Sequence, residues 1–308
     1  MRVATIDLGS NTVRLLVADV EPARRGWRVV EADQRVTRLG EGLAASGRLS
    51  PAPVERTAAT VREYVERARR ARAERVAIVA TSAVREAANG RDFTAALERA
   101  TGERVRVVSG EDEAALTLAG VLSGLDDAPD GDTLVFDVGG GSTEYILARG
   151  REPLAAVSLR LGVVDLAERY PFPGRVDWPR YDAMRAEIVQ RLVGELPARI
   201  RAATPGRLVG TAGTATTLAA LDLGLAIYDP GRVQGHVLAQ AAIRRLRDRL
   251  GGLTVAQRGA LPCLEPGRAD LIVAGVAIVQ ATLEITGAAA MVVSDRGLRE
   301  GILIRLDL

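Results

Sequence analysis

Short apolar runs recur along the chain, and several of them end in a turn built from glycine and small polar residues. One arrangement occurs twice: an apolar run, a glycine turn opened by an aspartate, and a second apolar run, at residues 3–18 and 134–148. The two opening aspartates, Asp7 and Asp137, lie nearly half the chain apart. The pattern predicts a pair of buried strands at each place and two related lobes.

The remaining pattern predicts strands alternating with helices. A helix is expected to begin at Ser50 and Pro51, because apolar residues then recur at helical spacing through Ala68. Further strands are predicted at 27–32, 76–80, 105–108, 208–209 and 291–293, and further helices after Ser82, Ser109 and Thr214 and over 180–203, 268–286 and 296–306. This alternation predicts an α/β fold in both lobes. We expect a junction at 125–132 between domains 1–124 and 125–308, with the helix at 296–308 docking on the first.

Composition excludes several classes of protein. All 41 basic residues are arginine, so a P-loop NTPase, a protein kinase and Schiff-base chemistry are excluded. A net charge of +2 and 3% aromatic residues argue against a nucleic-acid partner. One cysteine and one histidine exclude zinc sites and disulfide frameworks. No apolar stretch suits a membrane span or signal peptide, so we expect a cytoplasmic protein without membrane partners.

Four turns after apolar runs could carry chemistry: residues 7–12, 81–85, 137–144 and 210–214. Ligands of open α/β sheets gather at the carboxyl ends of strands. Glycine lets backbone N–H groups approach phosphate oxygens, and an aspartate beside them suits a hard cation. The alternative is that these glycines only make tight turns. The repeated Asp-x-Gly turn favours phosphate binding.

The acidic run after Ser109 also has two interpretations. Ser109 and Asp112 fit the positions of a capping box, and acids in the first turn suit the helix dipole. Glu113 is not explained by capping, and a carboxylate beside a phosphate site could orient and deprotonate water. Arg85, one helical turn beyond Ser82, could clamp a phosphoryl group or be an ordinary exposed arginine.

Arg14 and Glu144 occupy equivalent places in the two repeats. A cation in one repeat and an anion in the other would suit one lobe that binds phosphate oxygens and another that helps to hold a metal. The alternative is that both are surface residues of strands. His236 is expected to be structural or to contact the rim of a substrate site. Cys263 is expected to pack in a loop.

Together these segments resemble the exopolyphosphatase / guanosine pentaphosphate phosphatase (Ppx/GppA) family, of the actin–sugar kinase–Hsp70 superfamily. The matching segments run nearly the length of the chain in family order: residues 6–12, 38–43, 80–85, 109–114, 137–144, 161–162, 210–214, 268–270 and 294–301. The resemblance implies two ribonuclease-H-like (actin-like ATPase) lobes with an active cleft between them. It implies Mg²⁺-dependent hydrolysis of a terminal phosphoanhydride.

The resemblance also implies roles for individual residues. Glu113 is the expected catalytic base, and Asp137 and Glu144 are the expected acids of the Mg²⁺ site. The turns and the resemblance together give these predicted phosphate-binding residues: Asp7, Gly9, Ser10, Asn11, Thr12, Arg85, Gly139, Gly140, Gly141, Ser142, Thr143, Gly213 and Thr214.

We therefore predict an exopolyphosphatase that releases orthophosphate from inorganic polyphosphate. The same residues would serve a phosphatase of phosphorylated guanosine nucleotides such as pppGpp, or of nucleoside triphosphates. A sugar-kinase-like phosphotransferase and a non-catalytic sensor of alarmones or polyphosphate are further alternatives. A homodimer is expected from the family alone.

Overall fold

The computed structural model describes residues 1–21, 26–126 and 131–305. The described residues form two compact units, one within Met1–Gly120 and Leu298–Leu308, the first unit, and one within Val121–Gly297, the second unit. The predicted junction at 125–132 includes residues 127–130, which lie outside the described ranges. The end of the predicted last helix, 306–308, also lies outside them.

The first unit contains one mixed sheet with helices on both faces. Its strands are β1 (Arg2–Leu8), β2 (Thr12–Glu21), β3 (Gly26–Val36), β4 (Arg75–Ala80) and β5 (Val105–Val107), in the order β3-β2-β1-β4-β5. Its helices are α1 (Leu43–Ser46), α2 (Pro51–Arg70), α3 (Ser82–Glu86), α4 (Gly90–Thr101), α5 (Gly110–Leu122) and α14 (Leu298–Ile304). β1, β2 and β3 pair antiparallel, whereas β1, β4 and β5 run parallel.

The second unit is also a mixed sheet with helices. Its strands are β6 (Asp132–Val138), β7 (Thr143–Arg149), β8 (Glu152–Leu159), β9 (Arg207–Thr211), β10 (Val237–Ala239) and β11 (Ala290–Val293), in the order β10-β11-β9-β6-β7-β8. Its helices are α6 (Val163–Arg169), α7 (Trp178–Glu195), α8 (Ala198–Arg201), α9 (Ala212–Asp222), α10 (Pro230–Val233), α11 (Gln240–Gly251), α12 (Val255–Gly259) and α13 (Ile272–Thr286), with a 3₁₀ turn at Pro266–Arg268.

The two sheets share one strand plan. Each begins with three antiparallel strands, β1–β3 in the first unit and β6–β8 in the second. Two further strands then run parallel to the first strand of each set, β4 and then β5 beside β1, and β9 and then β11 beside β6. The second sheet adds β10 at one edge. The predicted α/β class with two lobes and the predicted duplication are both confirmed.

Alternating residues of β1 bury against both sides of the first sheet. Ala4, Ile6 and Leu8 belong to the cluster that includes α2, whereas Val3 packs with Leu303 of α14. A strand covered on both faces needs apolar or satisfied residues at nearly every position. Thr5 meets this need by donating its hydroxyl to the carbonyl of Arg299 at 3.3 Å.

α13 is the centre of the second unit's core. Eleven of its 15 residues are buried, which is the physical reason for its nearly continuous apolar sequence. Despite that sequence, none of the helices in the described part of the chain meets the length and hydropathy of a membrane span.

Several predicted boundaries were wrong. The predicted helix 180–203 is broken at Pro197, whose ring and missing N–H do not suit a helix interior. The predicted helix 268–286 begins at Ile272, after the 3₁₀ turn. β3 extends to Val36, because it pairs along the whole of β2. The sequence interpretation also missed the following elements: α1, α4, α6, α10, α11, α12, β8 and β10.

Candidate active site

The predicted phosphate turn of the first unit is a tight hairpin between β1 and β2. Gly9 N donates to Thr12 O at 3.1 Å, and a side chain on Gly9 would press on that same oxygen. Ser10 and Asn11, at the tip, are buried. Asp7 precedes the turn and lies opposite Arg14 in the ladder, so both side chains lie on one face of the sheet.

A second segment satisfies the carbonyl groups of this hairpin. Thr37 N and Arg38 N both donate to Asn11 O at 2.9 Å, and Gly40 N donates to Ser10 O at 2.7 Å. The segment after β3, which includes part of the matching segment 38–43, thus supports the hairpin through backbone hydrogen bonds. Carbonyl oxygens satisfied within the protein reduce the repulsion that an incoming phosphate would meet.

The predicted turn of the second unit closes in the same way. Gly139 N donates to Ser142 O at 2.9 Å, as Gly9 N does to Thr12 O. Here the start of α6 gives the support: Val163 N donates to Gly139 O at 3.1 Å and Val164 N to Gly140 O at 2.9 Å. Both turns therefore have their carbonyl groups bound by amides from later in the chain.

The two predicted metal acids lie beside the second turn. Asp137 and Glu144 are direct partners across β6 and β7, which places their side chains on one face. Glu144 is buried, and its Oε1 accepts hydroxyl hydrogen bonds from Ser142 at 2.7 Å and Ser158 at 2.6 Å. The described residues contain no group of three or more histidine, cysteine or acidic side chains that could hold a metal ion.

Carboxylate oxygen is nevertheless the donor that Mg²⁺ prefers, and Mg²⁺ sites commonly use one or two carboxylates with water and substrate phosphate. The Asp137–Glu144 pair fits that donor set. Its strand register equals that of Asp7 and Arg14 in the first unit. Arg14 and Glu144 therefore occupy equivalent positions in the two units, as the sequence predicted, with a cation in the first and an anion in the second.

The strand ends of the first unit collect the other predicted residues at one edge of the sheet. Thr81 N, after β4, donates to Leu8 O at the end of β1, and Val108 N, after β5, donates to Ala80 O. The hairpin, the turn that carries Arg85 and the start of α5 therefore share the carboxyl edge of three neighbouring strands. This is the place where open α/β sheets bind ligands.

Arg85 and Glu113 form an ion pair at this edge. Arg85 Nη1 donates to Glu113 Oε2 at 2.8 Å and to Val108 O at 3.0 Å. Arg85 is 23% exposed and Glu113 only 9%. The arginine that we predicted as a phosphate clamp thus contacts the predicted base in this structure.

The neighbours of Glu113 agree with the sequence argument. Ser109 Oγ accepts from Asp112 N at 3.0 Å, which caps α5. Glu111 and Asp112 are exposed, and the Asp112 carboxylate lies 3.7 Å from Arg106. Of these three acids only Glu113 is buried. The helix cap involves Ser109 and Asp112, so it does not explain why Glu113 is buried.

The turn after β9 brings an arginine that the sequence interpretation did not assign to the site. A side chain on Gly213 would meet Arg268 Nη1 at 2.0 Å, so the guanidinium group lies directly against this turn. Ala212, just before it, has a positive φ of 65°. Thr214 is buried against Gly275 of α13. The segment 268–270 was part of the family resemblance, but nothing local in the sequence places Arg268 at Gly213.

The single histidine, His236, and the single cysteine, Cys263, each make a hydrogen bond within the second unit. His236 Nε2 lies 3.0 Å from Asp222 Oδ2. Cys263 lies in a turn, as expected, packs against the core and donates its thiol to Leu225 O at 3.3 Å. Burial raises the pKa of this thiol.

Two related α/β units with hairpins suited to phosphate, a carboxylate pair and a buried acid on an arginine define a phosphoryl-transfer enzyme with an actin-like fold. The model of the Ppx/GppA phosphatase family matches residues 16–308. The chain belongs to the Ppx/GppA phosphatase family, which confirms the predicted resemblance and makes the protein a hydrolase of phosphoanhydride bonds.

Full-length relatives support this assignment. The chain is 34% identical to exopolyphosphatase 2 of Mycobacterium tuberculosis, over 99% of this chain and 98% of that protein. It superposes on an exopolyphosphatase from Cytophaga hutchinsonii with a TM-score of 0.91 and 25% identity, covering 99% and 97% of the two chains. The Ppx/GppA enzyme of Aquifex aeolicus gives a TM-score of 0.81 and 33% identity, covering 99% of each chain.

Proposed function

We propose that this protein is a Mg²⁺-dependent exopolyphosphatase that removes the terminal phosphate of inorganic polyphosphate. The observation that carries the proposal is the buried Glu113, held by Arg85 at the strand edge where the Gly9–Thr12 hairpin lies. The names of the mycobacterial and Cytophaga relatives support polyphosphate as the substrate.

In this mechanism Glu113 accepts a proton from a water molecule as the water oxygen attacks the terminal phosphorus. A new P–O bond forms, the bridging P–O bond breaks on the opposite side, and orthophosphate leaves the shortened chain. Arg85 fixes the carboxylate by a charge-assisted hydrogen bond. Positioning, rather than covalent participation of the protein, supplies most of the catalysis in such reactions.

The other predicted residues bind the substrate in this proposal. Backbone N–H groups of the two hairpins, within residues 9–12 and 139–143 but other than those of Gly9 and Gly139 that close the turns, bind phosphate oxygens, with Asp7 and Arg14 beside the first hairpin. Gly213 and Thr214 contribute a third binding turn. Asp137 and Glu144 would hold Mg²⁺, and the bound ion would supply positive charge to neutralise the phosphate oxygens.

The decisive experiment compares phosphate release from polyphosphates of several lengths, pppGpp and ATP under one set of conditions with Mg²⁺. Fastest turnover of polyphosphate supports the proposal. Turnover of pppGpp or ATP without polyphosphate would keep the chemistry and replace the substrate. Tight binding of polyphosphate or ppGpp with no hydrolysis of any compound would make the protein a binding protein instead.

We also propose that the protein acts as a homodimer, on the basis of its family. Sedimentation velocity at several protein concentrations tests this. A single species at the mass of one 32.6 kDa chain throughout would contradict it.

A further inference from the structure

A cavity of about 670 Å³ lies on the first unit, and the proposed reaction does not use it. Its floor is aliphatic and includes Val79, Val108, Leu116 and Ile302, which are all nearly inaccessible to solvent and form one hydrophobic cluster. None of the lining residues in the described part of the chain is aromatic. The volume is within the range of small-molecule sites, roughly 300–1,000 Å³.

Four arginines surround this floor: Arg75, Arg104, Arg106 and Arg305. Among the described lining residues the one acid is Glu98, whose Oε1 accepts from Val105 N at 2.8 Å and so caps the edge of β5. The described lining therefore holds more arginine than acid over an aliphatic surface, with the Arg106 guanidinium group also 3.7 Å from the Asp112 carboxylate. We call it the arginine-rimmed cavity.

This combination selects a particular ligand chemistry. Guanidinium groups bind carboxylate or phosphate in a forked geometry, whereas buried aliphatic groups favour a ligand with its own apolar body. An inorganic phosphate chain lacks the apolar part, and a nucleotide base would find no ring on which to stack. An alkyl chain with an anionic head matches both parts.

Two residues that line the cavity are connected to the proposed catalytic pair. Leu116 lies one helical turn after Glu113 on α5. Val108, which also lines the cavity, accepts a hydrogen bond from Arg85 through its carbonyl oxygen at 3.0 Å. A ligand that moves Val108 therefore moves a hydrogen-bond acceptor of Arg85. A ligand that moves Leu116 moves the helix that carries Glu113.

We propose that the arginine-rimmed cavity binds an alkyl anion, a fatty carboxylate or alkyl phosphate, and that occupation of the cavity changes the setting of the Arg85–Glu113 pair. Coupling of a binding site to a nearby functional site through a shared helix and a shared hydrogen bond needs only a small displacement. The effect on turnover rests on the proposed function; the binding does not.

Titration calorimetry with decanoate and decyl phosphate, below their micelle concentrations, tests binding in the full-length protein. Acetate supplies the head group alone and decanol the alkyl chain alone. We expect saturable binding at one site for a long-chain anion and none for either comparison compound. The double variant Arg104→Gln/Arg305→Gln removes two exposed arginines of the rim and should weaken binding about tenfold or more.

The matched control is Arg151→Gln/Arg199→Gln, which removes two exposed arginines from the second unit and should bind as the wild type does. Equal binding by both double variants, or no saturable binding at all, would overturn the site. Equal binding of decanol would overturn the role of the arginines.

Coupling is measured in the same samples. Saturating decanoate should change kcat or KM for polyphosphate about twofold or more in the wild type, and not in the rim variant. Hydrogen exchange over residues 105–122 should slow in the wild type alone. Binding without either change would overturn the coupling. If no substrate is hydrolysed, the proposed function fails, while calorimetry and hydrogen exchange still decide the cavity.

Discussion

Asp137 and Glu144 lie directly opposite each other on β6 and β7, and two serine hydroxyls bind the same oxygen of Glu144. The equivalent positions in the first unit are Asp7 and Arg14. The duplicated strand pair thus keeps one aspartate in each copy and exchanges a cation for an anion opposite it. This exchange is what gives the second copy a donor set for a hard cation.

The first prediction concerns that donor set. Glu144→Gln should raise the Mg²⁺ concentration for half-maximal phosphate release about tenfold or more, because an amide is a weaker ligand than a carboxylate. A Mg²⁺ titration of initial rates measures it. Glu152→Gln, at the exposed start of β8, is the control and should titrate as the wild type does. Identical Mg²⁺ curves for all three proteins would remove Glu144 from the site.

The second prediction concerns the base. Glu113→Gln should lower kcat about 10²–10⁴-fold with a small change in KM, because the amide cannot accept the proton of water. Glu111→Gln, two residues earlier on α5 and exposed, should keep wild-type kcat. Steady-state phosphate release measures both. Near-normal turnover by Glu113→Gln would refute the assignment.

The third prediction concerns support of the second hairpin. An added methyl group on Gly162 would lie 2.2 Å from Gly140 O and 2.4 Å from Gly141 C. Gly162→Ala should therefore displace the hairpin and raise KM for polyphosphate. Gly174→Ala, where the methyl group has open space, should leave kinetics unchanged. Unaltered KM in Gly162→Ala would mean that the hairpin does not bind substrate.

The fourth prediction concerns stability of the second unit. Arg258 is fully buried and donates to Leu250 O at 2.8 Å, Phe172 O at 2.9 Å and Gly174 O at 3.1 Å. Arg258→Met should lower the free energy of unfolding by about 3 kcal/mol or more, since it removes three hydrogen bonds from a buried charged donor and leaves the buried Phe172 O without that donor. Urea unfolding measures it. Arg249→Met, on the exposed side of α11, should cost about 0.5 kcal/mol or less.

The fifth prediction is a pH dependence. A hydrogen bond from Arg169, aided by one from Tyr170, lowers the pKa of Glu187. A lowered folded-state pKa stabilises the protein above the unfolded value of about 4.3, and this stabilisation is lost as pH falls below it. Glu187→Gln should therefore lower Tm at pH 7, by an amount equivalent to about 1 kcal/mol or less, and lower it little near pH 3. An equal Tm difference at both pH values would contradict this.

The strands and turns nearest the site could be predicted, because their signal is local. β1 and β2, and again β6 and β7, are apolar runs on either side of an Asp-x-Gly turn, and a hairpin needs only such neighbours in sequence. The same holds for Ser109 and α5, since a cap and its helix are adjacent. The duplication strengthened each signal by repeating it.

The supporting contacts could not be predicted, because they join distant parts of the chain. Nothing local shows that Gly162 must approach Gly140, or that Arg268 lies on Gly213. Arg258 illustrates the same limit: its sequence neighbourhood does not distinguish it from the many exposed arginines, and only the carbonyl groups of two other segments identify it as buried. α11 differs from these cases, because Ile243, Leu246 and Leu250 recur at helical spacing and its signal was therefore local.

Gly301 of α14 packs so closely on α5 that an added methyl group would lie 1.8 Å from Leu116 O. These two helices are separated by more than half of the chain, whereas the second unit is continuous in sequence. During synthesis on the ribosome the second unit can therefore complete its core before the first. The helix that carries Glu113 gains this neighbour only when α14 has emerged, so unfinished chains lack the complete packing around that helix.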